Sequence, residues 1–212
     1  MEKFNSNNGF GKYKPLAILL LKTITSILDK YSINYCIISG TLLGYVRHND
    51  FIPWDDDIDI IVDSSILDKI YNIALENSEL LSIFSTGNYL LKVCFKRGLS
   101  LNKQFNMKYV YQKNTYKFPF IDMFIYKNEN DLISFFKKTW KTSEFFPPNK
   151  TYFLGMDIFI PKNPDYFLTL NYGNDYMNIY KSNNYNHKKD INNKIITIYN
   201  KHTKQIISCL KK

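Results

Sequence analysis

The chain has 212 residues, a formal net charge of +9 and 45% hydrophobic residues, enough for one domain with a full core. The basic balance favours an anionic partner without choosing among nucleotide, nucleic acid, anionic glycan or membrane surface. The lysines are scattered, which excludes a like-charge block of the sort that forms a nucleic-acid-binding tail. Cys36, Cys94 and Cys209 form no CxxC pair and no zinc-spaced cluster with histidine, so they read as ordinary thiols suited to a reducing compartment. The longest apolar run near the N-terminus, Leu16 to Leu21, is too short to span a bilayer and no small-residue cleavage site follows it. The expectation is a soluble, cytoplasmic protein without a transmembrane segment.

Residues 1–13 are polar and read as a flexible arm. From Pro15 to Tyr31, apolar residues recur at three and four, which predicts an amphipathic helix. Ser32-Ile33-Asn34 breaks it, and Tyr35 to Ile38 reads as a short buried strand. Ser39-Gly40-Thr41 then leads into Leu42, Leu43 and Val46 at helical spacing. A strand, a glycine with a hydroxyl residue and a helix start is a place where backbone N–H groups attract phosphate. Arg47 follows, as either an anion ligand or a solvated surface cation, and His48 reads as structural.

Asp55, Asp56, Asp57 and Asp59 then run directly into Ile58, Ile60, Ile61 and Val62, a buried-strand composition. Side chains alternate along a strand, so Asp57 and Asp59 share a face. At 4 Å, two such charges repel by about 4 kcal/mol for an effective dielectric near 20. Either a carboxylate takes a proton or a cation sits between them. A hard divalent ion with oxygen ligands, Mg²⁺ or Mn²⁺, resolves the conflict. A calcium loop is excluded, because its sixth position needs Gly and is Ile60, and its twelfth needs Glu and is Ile66.

Downstream, Asp63-Ser64-Ser65 caps a predicted helix through Ala74. Residues 88–95 read as a strand carrying Lys92, with a turn at Gly98. Phe118 to Tyr126 reads as a strand with Asp122 alone among large apolar residues, a costly placement unless that carboxylate has a partner; a third metal carboxylate is the preferred reading. The spacing predicts a helix over 129–140, extended chain over 152–160, one or two helical turns at 166–170, a flexible loop over 174–189 and a closing amphipathic helix over 190–210. The expected organisation is an arm at 1–13, a domain over 14–176, and a polar loop with a C-terminal helix over 177–212.

The combination of Gly-Thr turn, Trp-Asp-Asp-Asp-Ile-Asp strand and later strand aspartate is the arrangement of a nucleotidyltransferase-type site. Ser39-Gly40-Thr41-Leu42-Leu43-Gly44-Tyr45-Val46-Arg47 with Phe51-Ile52-Pro53-Trp54-Asp55-Asp56-Asp57-Ile58-Asp59-Ile60 resembles the signature of the LicD family, to which fukutin and fukutin-related protein belong. Phe120 to Phe124 is similar to that family's second acidic strand, and residues 155–162 and 172–176 to its distal segments. The resemblance covers residues 15 to 176. It implies an α/β (α+β) fold, a nucleotidyltransferase-like mixed β-sheet flanked by helices. It also implies transfer of a phospho-alcohol, such as phosphocholine or ribitol phosphate, from a CDP-alcohol donor to a glycan or glycoconjugate hydroxyl.

Carried over by position, Asp57, Asp59 and Asp122 are the catalytic metal carboxylates, Asp55 is a possible further ligand or an orienting group, and Gly40 and Thr41 are the phosphate-binding turn. The expected mechanism is in-line attack with the metal on the donor diphosphate and Asp122 taking the acceptor proton. Lys92 either supports the phosphates or faces solvent. Acceptor choice is expected in the basic, aromatic region 99–117, and the tail after 176 carries no family pattern. No nucleic-acid partner is expected. Two other classes stay open: a nucleotidyltransferase adding a nucleoside monophosphate to a small molecule or RNA end, and a non-catalytic basic nucleic-acid-binding module.

Overall fold

In the computed structural model, the described residues are 9–86, 89–96, 110–111, 117–135, 138–181, 185–187, 191–192, 195–201 and 205–211. The central sheet is built from β1 (Tyr35–Ile37), β2 (Ile58–Asp63), β3 (Leu81–Ser85), β4 (Leu90–Phe95) and β7 (Ile121–Glu129), in the order β1-β2-β7-β4-β3. Between β4 and β7 in the chain, β5 (Val110–Tyr111) and β6 (Lys117–Phe118) pair as a separate ribbon. The β2–β7 pair is parallel and its neighbours are antiparallel, so the sheet is mixed. Burial on both faces explains why β2 is almost uninterrupted aliphatic sequence.

Helix α1 (Lys14–Lys30) buries Leu16, Ala17, Leu20, Leu21, Ile24 and Leu28 along one stripe. It stops where Ser32 turns left-handed (φ 52°) and the N–H groups of Ser32 and Ile33 return to the carbonyls of Asp29 and Leu28. That pair of hydrogen bonds closes the helix end with a serine where glycine is usual, and it brings the chain straight into β1. Helix α2 (Ser39–His48) follows β1, and α3 (Leu67–Glu76) follows β2 after a turn in which Asp63 accepts the Ser65 N–H at 2.7 Å. Further along come β8 (Leu132–Phe135), β9 (Lys138–Lys141), α4 (Thr142–Phe145), β10 (Asn149–Phe153), β11 (Met156–Ile160) and α5 (Pro164–Tyr172).

Four expectations are corrected. The polar arm does not extend to residue 13: Phe10 and Tyr13 are buried, and Phe10 packs against the rings of Phe51 and Phe118; residues 1–8 lie outside the described residues. The helix predicted over 129–140 is instead the β7–β8–β9 meander. Asn130 and Asp131 both take positive φ, which is the two-residue turn that suits a hairpin, and Ile133 and Phe135 are buried by alternation. Residues 174–189 contain β12 (Ile179–Lys181) and β13 (Tyr185–Asn186), the latter paired with β14 (Ile191–Asn192). The closing helix is replaced by β15 (Ile195–Asn200) and β16 (Gln205–Lys211), in the order β12-β15-β16. There the β-branched run Ile195-Ile196-Thr197-Ile198 outweighs its partly helical spacing. The predicted turn at Gly98 and most of the acceptor region at 99–117 lie outside the described residues.

Candidate active site

Pairing registers build the site. On the parallel pair, Asp59 of β2 faces Asp122 of β7, and on the antiparallel pair Asp122 faces Lys92 of β4. The three side chains form one row across three strands, spaced by the roughly 4.8 Å between neighbours in a sheet. Lys92 is 8% exposed, and its Nζ lies 2.5 Å from Asp122 Oδ1, which excludes the solvent-facing reading. The Lys92 ammonium also sits 3.8 Å from the centre of the Phe120 ring.

Residues 38–41 fix Asp59 from three sides. The Ile38 N–H donates to its carbonyl (3.1 Å), its own N–H donates to Thr41 Oγ1 (2.8 Å), and its Oδ2 accepts the Gly40 N–H (3.2 Å). The Gly-Thr turn expected to bind phosphate is therefore the first turn of α2 and touches the acidic strand directly. Thr41 is buried, with its hydroxyl turned to Asp59. Gly40 and Gly44 lie one turn apart on the same face of α2. A methyl at Gly40 would strike the Asp55 carboxylate, and one at Gly44 would come within 2.6 Å of the Asp50 carbonyl. The glycines leave that face flat, so residues 50–55 lie along it and carry Asp55 to the start of the helix.

Asp55, Asp56, Asp59 and Asp122 are all buried. Burial first, then the charge of Asp57 and a hydrogen bond with it, pushes Asp55 well above the usual carboxylate range. Burial, Asp57 and Asp122 do the same to Asp59, against the opposing pull of the Gly40 N–H and Lys92. Asp122 is raised by burial and lowered in part by Lys92. One lysine does not balance this many carboxylates. Asp57, Asp122 and His187 each place a donor atom within 4.8 Å of the other two. The donor set fits a divalent cation.

Above the acids lies a cavity of about 310 Å³, lined by Gly40, Asp55, Asp57, Asp59, Arg47 and Tyr172 among others. Arg47 is held rather than solvated: Nη1 donates to the carbonyls of Tyr176 (2.7 Å) and Ile179 (3.3 Å), Nε donates to His48 Nε2 (3.0 Å), and the guanidinium packs on Tyr180 and Trp54. The Trp54 indole N–H donates to the Lys181 carbonyl at 3.0 Å. Burial and the charges of Asp59, Asp55 and Asp57 raise Tyr172 well above the phenol range.

Asp55, Asp57, Asp59, Gly40 and Arg47 thus border one cavity, while Asp122 and Lys92 join Asp59 through the sheet and are not among its lining residues. Sequence reasoning missed His187 and Tyr172 as site residues. The His187 Nδ1 lies 2.8 Å from Asp56 Oδ1 and its Nε2 lies 3.4 Å from Asp57 Oδ2. Burial would lower its pKa, but the Asp56 hydrogen bond and the charges of Asp57, Asp56 and Asp122 together raise it. No local pattern marked a histidine in an Asn- and Lys-rich stretch. Tyr172 sat in a segment already noted for its resemblance, without a role.

A mixed sheet that pairs a buried aspartate on each of two parallel strands, beside a helix opening Ser-Gly-Thr, is a nucleotidyltransferase-like fold. Residues 32–163 match the family model of the LicD/FKTN/FKRP nucleotidyltransferase domain, more than half the chain, and the chain belongs to that family. It is similar to the lipopolysaccharide cholinephosphotransferase LicD of Haemophilus influenzae, with 46% identity over 41 residues, 19% of this chain and 16% of that protein. It is also similar to the uncharacterized protein RT0683 of Rickettsia typhi, with 29% identity over 151 residues, 68% of this chain and 41% of that one. The chain spans less than half the length of these curated relatives. Among solved structures it resembles ANT(2")-Ia in complex with adenylyl-2"-tobramycin, with a TM-score of 0.46, 10% identity and 68% of each chain covered. None of the described helices is long and apolar enough to cross a membrane.

Proposed function

We propose that this chain is a metal-dependent transferase that moves a phospho-alcohol, of the phosphocholine or ribitol phosphate type, from a CDP-activated donor to a hydroxyl of a glycan or glycoconjugate. The observation that carries this reading is the register that sets Asp122 beside Asp59, with Asp59 and Asp57 lining a cavity, in a LicD-family chain. Asp57, Asp59 and Asp122 would hold the divalent ion, Mg²⁺ or Mn²⁺, with Asp55 lining the cavity beside Asp57 and Asp59. When bound, the ion offsets charge on the donor diphosphate and on the departing nucleotide.

The chain's own groups supply the rest. Ser39 and Gly40 set the start of α2 at the cavity, where the helix dipole favours phosphate, while the Gly40 N–H itself is held by Asp59. Arg47, held in place by the Tyr176 and Ile179 carbonyls, gives the cavity a fixed positive wall. Thr41 acts through Asp59, whose backbone it holds. Lys92 acts through Asp122. The acceptor oxygen forms a bond to the phosphorus that carries the alcohol, the bond from that phosphorus to the bridging oxygen breaks, and CMP leaves with that oxygen. The acceptor proton passes to a carboxylate of the cluster, which we assign as Asp122.

The test is a panel of CDP-alcohols with Mg²⁺ or Mn²⁺ and a glycan acceptor, with Asp57→Asn as the blank. Release of CMP by the wild-type chain supports the reading. Release of pyrophosphate from a nucleoside triphosphate would instead mark nucleotidyl transfer, and salt-sensitive nucleic-acid binding that survives loss of Asp57 would mark a binding module.

A further inference from the structure

The stretch that follows the family-matched region returns to the site. His187 lies beyond residue 163, where the match ends, yet its imidazole is seated between two of the acidic residues. On one side, Asp56 is 1% exposed and uses a single oxygen, Oδ1, for both the His187 backbone N–H (3.3 Å) and ring Nδ1 (2.8 Å). A carboxylate oxygen accepts, so the proton of that bond belongs to Nδ1. On the other side, Nε2 lies 3.4 Å from Asp57 Oδ2, and a donor atom of His187 lies within 4.8 Å of the carboxylates of both Asp57 and Asp122. The Phe120 ring, 5.7 Å away between centroids and at 75° to the imidazole, limits how the imidazole can turn. A carboxylate that fixes one ring nitrogen while the other faces the metal position is the recurring support of histidine ligands.

We infer that His187 is a nitrogen ligand of the divalent-metal site, with Asp56 as the residue that positions it, so that the site takes a borderline transition ion such as Mn²⁺ in preference to Mg²⁺. The inference rests on the metal reading above and deepens it. An oxygen-only set at Asp57, Asp59 and Asp122 suits Mg²⁺. Adding an imidazole favours the first-row transition ions, which accept nitrogen more readily. It also gives a role to Asp56, which is buried and bonded to His187 through both the histidine's backbone and its ring.

Direct metal binding by the whole chain tests this without reference to turnover. Mn²⁺ and Mg²⁺ affinities are measured by calorimetry for wild type, His187→Ala, Asp56→Asn and Asp57→Asn, with circular dichroism to confirm folding. The electron spin echo spectrum of bound Mn²⁺ is recorded for each. The wild type is expected to show a nitrogen modulation from one directly bound imidazole. His187→Ala is expected to lose that modulation and about tenfold or more in Mn²⁺ affinity, with Mg²⁺ affinity changed less than about threefold. Asp56→Asn is expected to keep bound Mn²⁺ with a weakened or shifted modulation, which a purely structural role would not produce. An unchanged modulation and Mn²⁺ affinity in folded His187→Ala would overturn the inference while leaving the carboxylate site intact. Unchanged affinity in Asp57→Asn would overturn the metal reading itself.

Discussion

Asp59 and Asp122 stand opposite each other on two parallel strands, although a helix, several strands and the segment between them separate the two in the chain. Two buried carboxylates in register are unfavourable unless something positive joins them. Lys92 bonds to Asp122 and also acts on Asp59, yet both carboxyls stay above their ordinary range. Asp57→Asn and Asp122→Asn should therefore each cut transfer by roughly a thousandfold, the several kcal/mol that a metal site supplies to developing charge. CMP release under saturating Mg²⁺ or Mn²⁺ measures this, and near-normal rates in either variant would remove the metal from the mechanism.

Chelation should also lower stability. A ligand at 100 times its Kd that binds only the folded chain adds about 2.7 kcal/mol, which for a chain of this size corresponds to a Tm shift of roughly 5–10 °C. Thermal unfolding with and without excess EDTA reads it directly. The shift should vanish in Asp57→Asn, and an equal shift there would place the stabilising ion elsewhere.

The two glycines of α2 should separate stability from activity. In a helix interior, alanine is favoured over glycine by about 1 kcal/mol, while overpacking costs about 1–3 kcal/mol. At Gly44 the obstacle is the backbone of Asp50 to Phe51, which cannot swing away, so Gly44→Ala should be net destabilising in a urea melt. At Gly40 the obstacle is the Asp55 side chain, which can rotate, so Gly40→Ala should fold nearly as well but lose most of its turnover. The reverse ranking would mean that residues 50–55 do not lie along this face.

Arg47→Lys should behave as a severe change. A lysine cannot donate at once to the Tyr176 and Ile179 carbonyls and stack on Tyr180. The expected outcome is a KM for donor raised about tenfold or more with a smaller change in kcat, seen by initial rates across donor concentration.

His48 sets a pH dependence apart from the acids. Burial and then Arg47 hold its pKa down to about 4, against an ordinary value of 6.5, and its Nε2 accepts the Arg47 Nε–H. The unfolded chain binds this proton first as pH falls, so the folded state loses stability between about pH 6.5 and 4. In His48→Gln that part of the acid slope should disappear. An identical slope of Tm against pH in the variant would refute the assignment.

Much of this was legible in the sequence. The aspartate–isoleucine alternation announced β2, and the lone Asp122 among large apolar residues announced a partnered carboxylate on a second strand. What the sequence could not show was the register that sets Asp59 beside Asp122 and Lys92, because pairing between distant strands leaves no local trace. Thr41 illustrates the same limit: its hydroxyl was expected at a phosphate and instead holds the Asp59 N–H. The stretch from 129 to 140 failed for another reason, since Asn130-Asp131 is a turn signal that apolar spacing overrode. The tail failed because isoleucines at three and four also alternate, and strand preference decided the outcome. His187 was invisible in principle, since only the return of β13 brings it to Asp56.

The parallel β2–β7 pairing carries one more implication. Cutting the chain anywhere between residues 64 and 120 divides the carboxylates we assign to the metal, with Asp57 and Asp59 on one piece and Asp122 on the other. Neither piece alone owns a complete cradle. Catalysis would therefore serve as a sensitive gauge of whether two such halves, mixed together, had found each other and zipped in the native alignment.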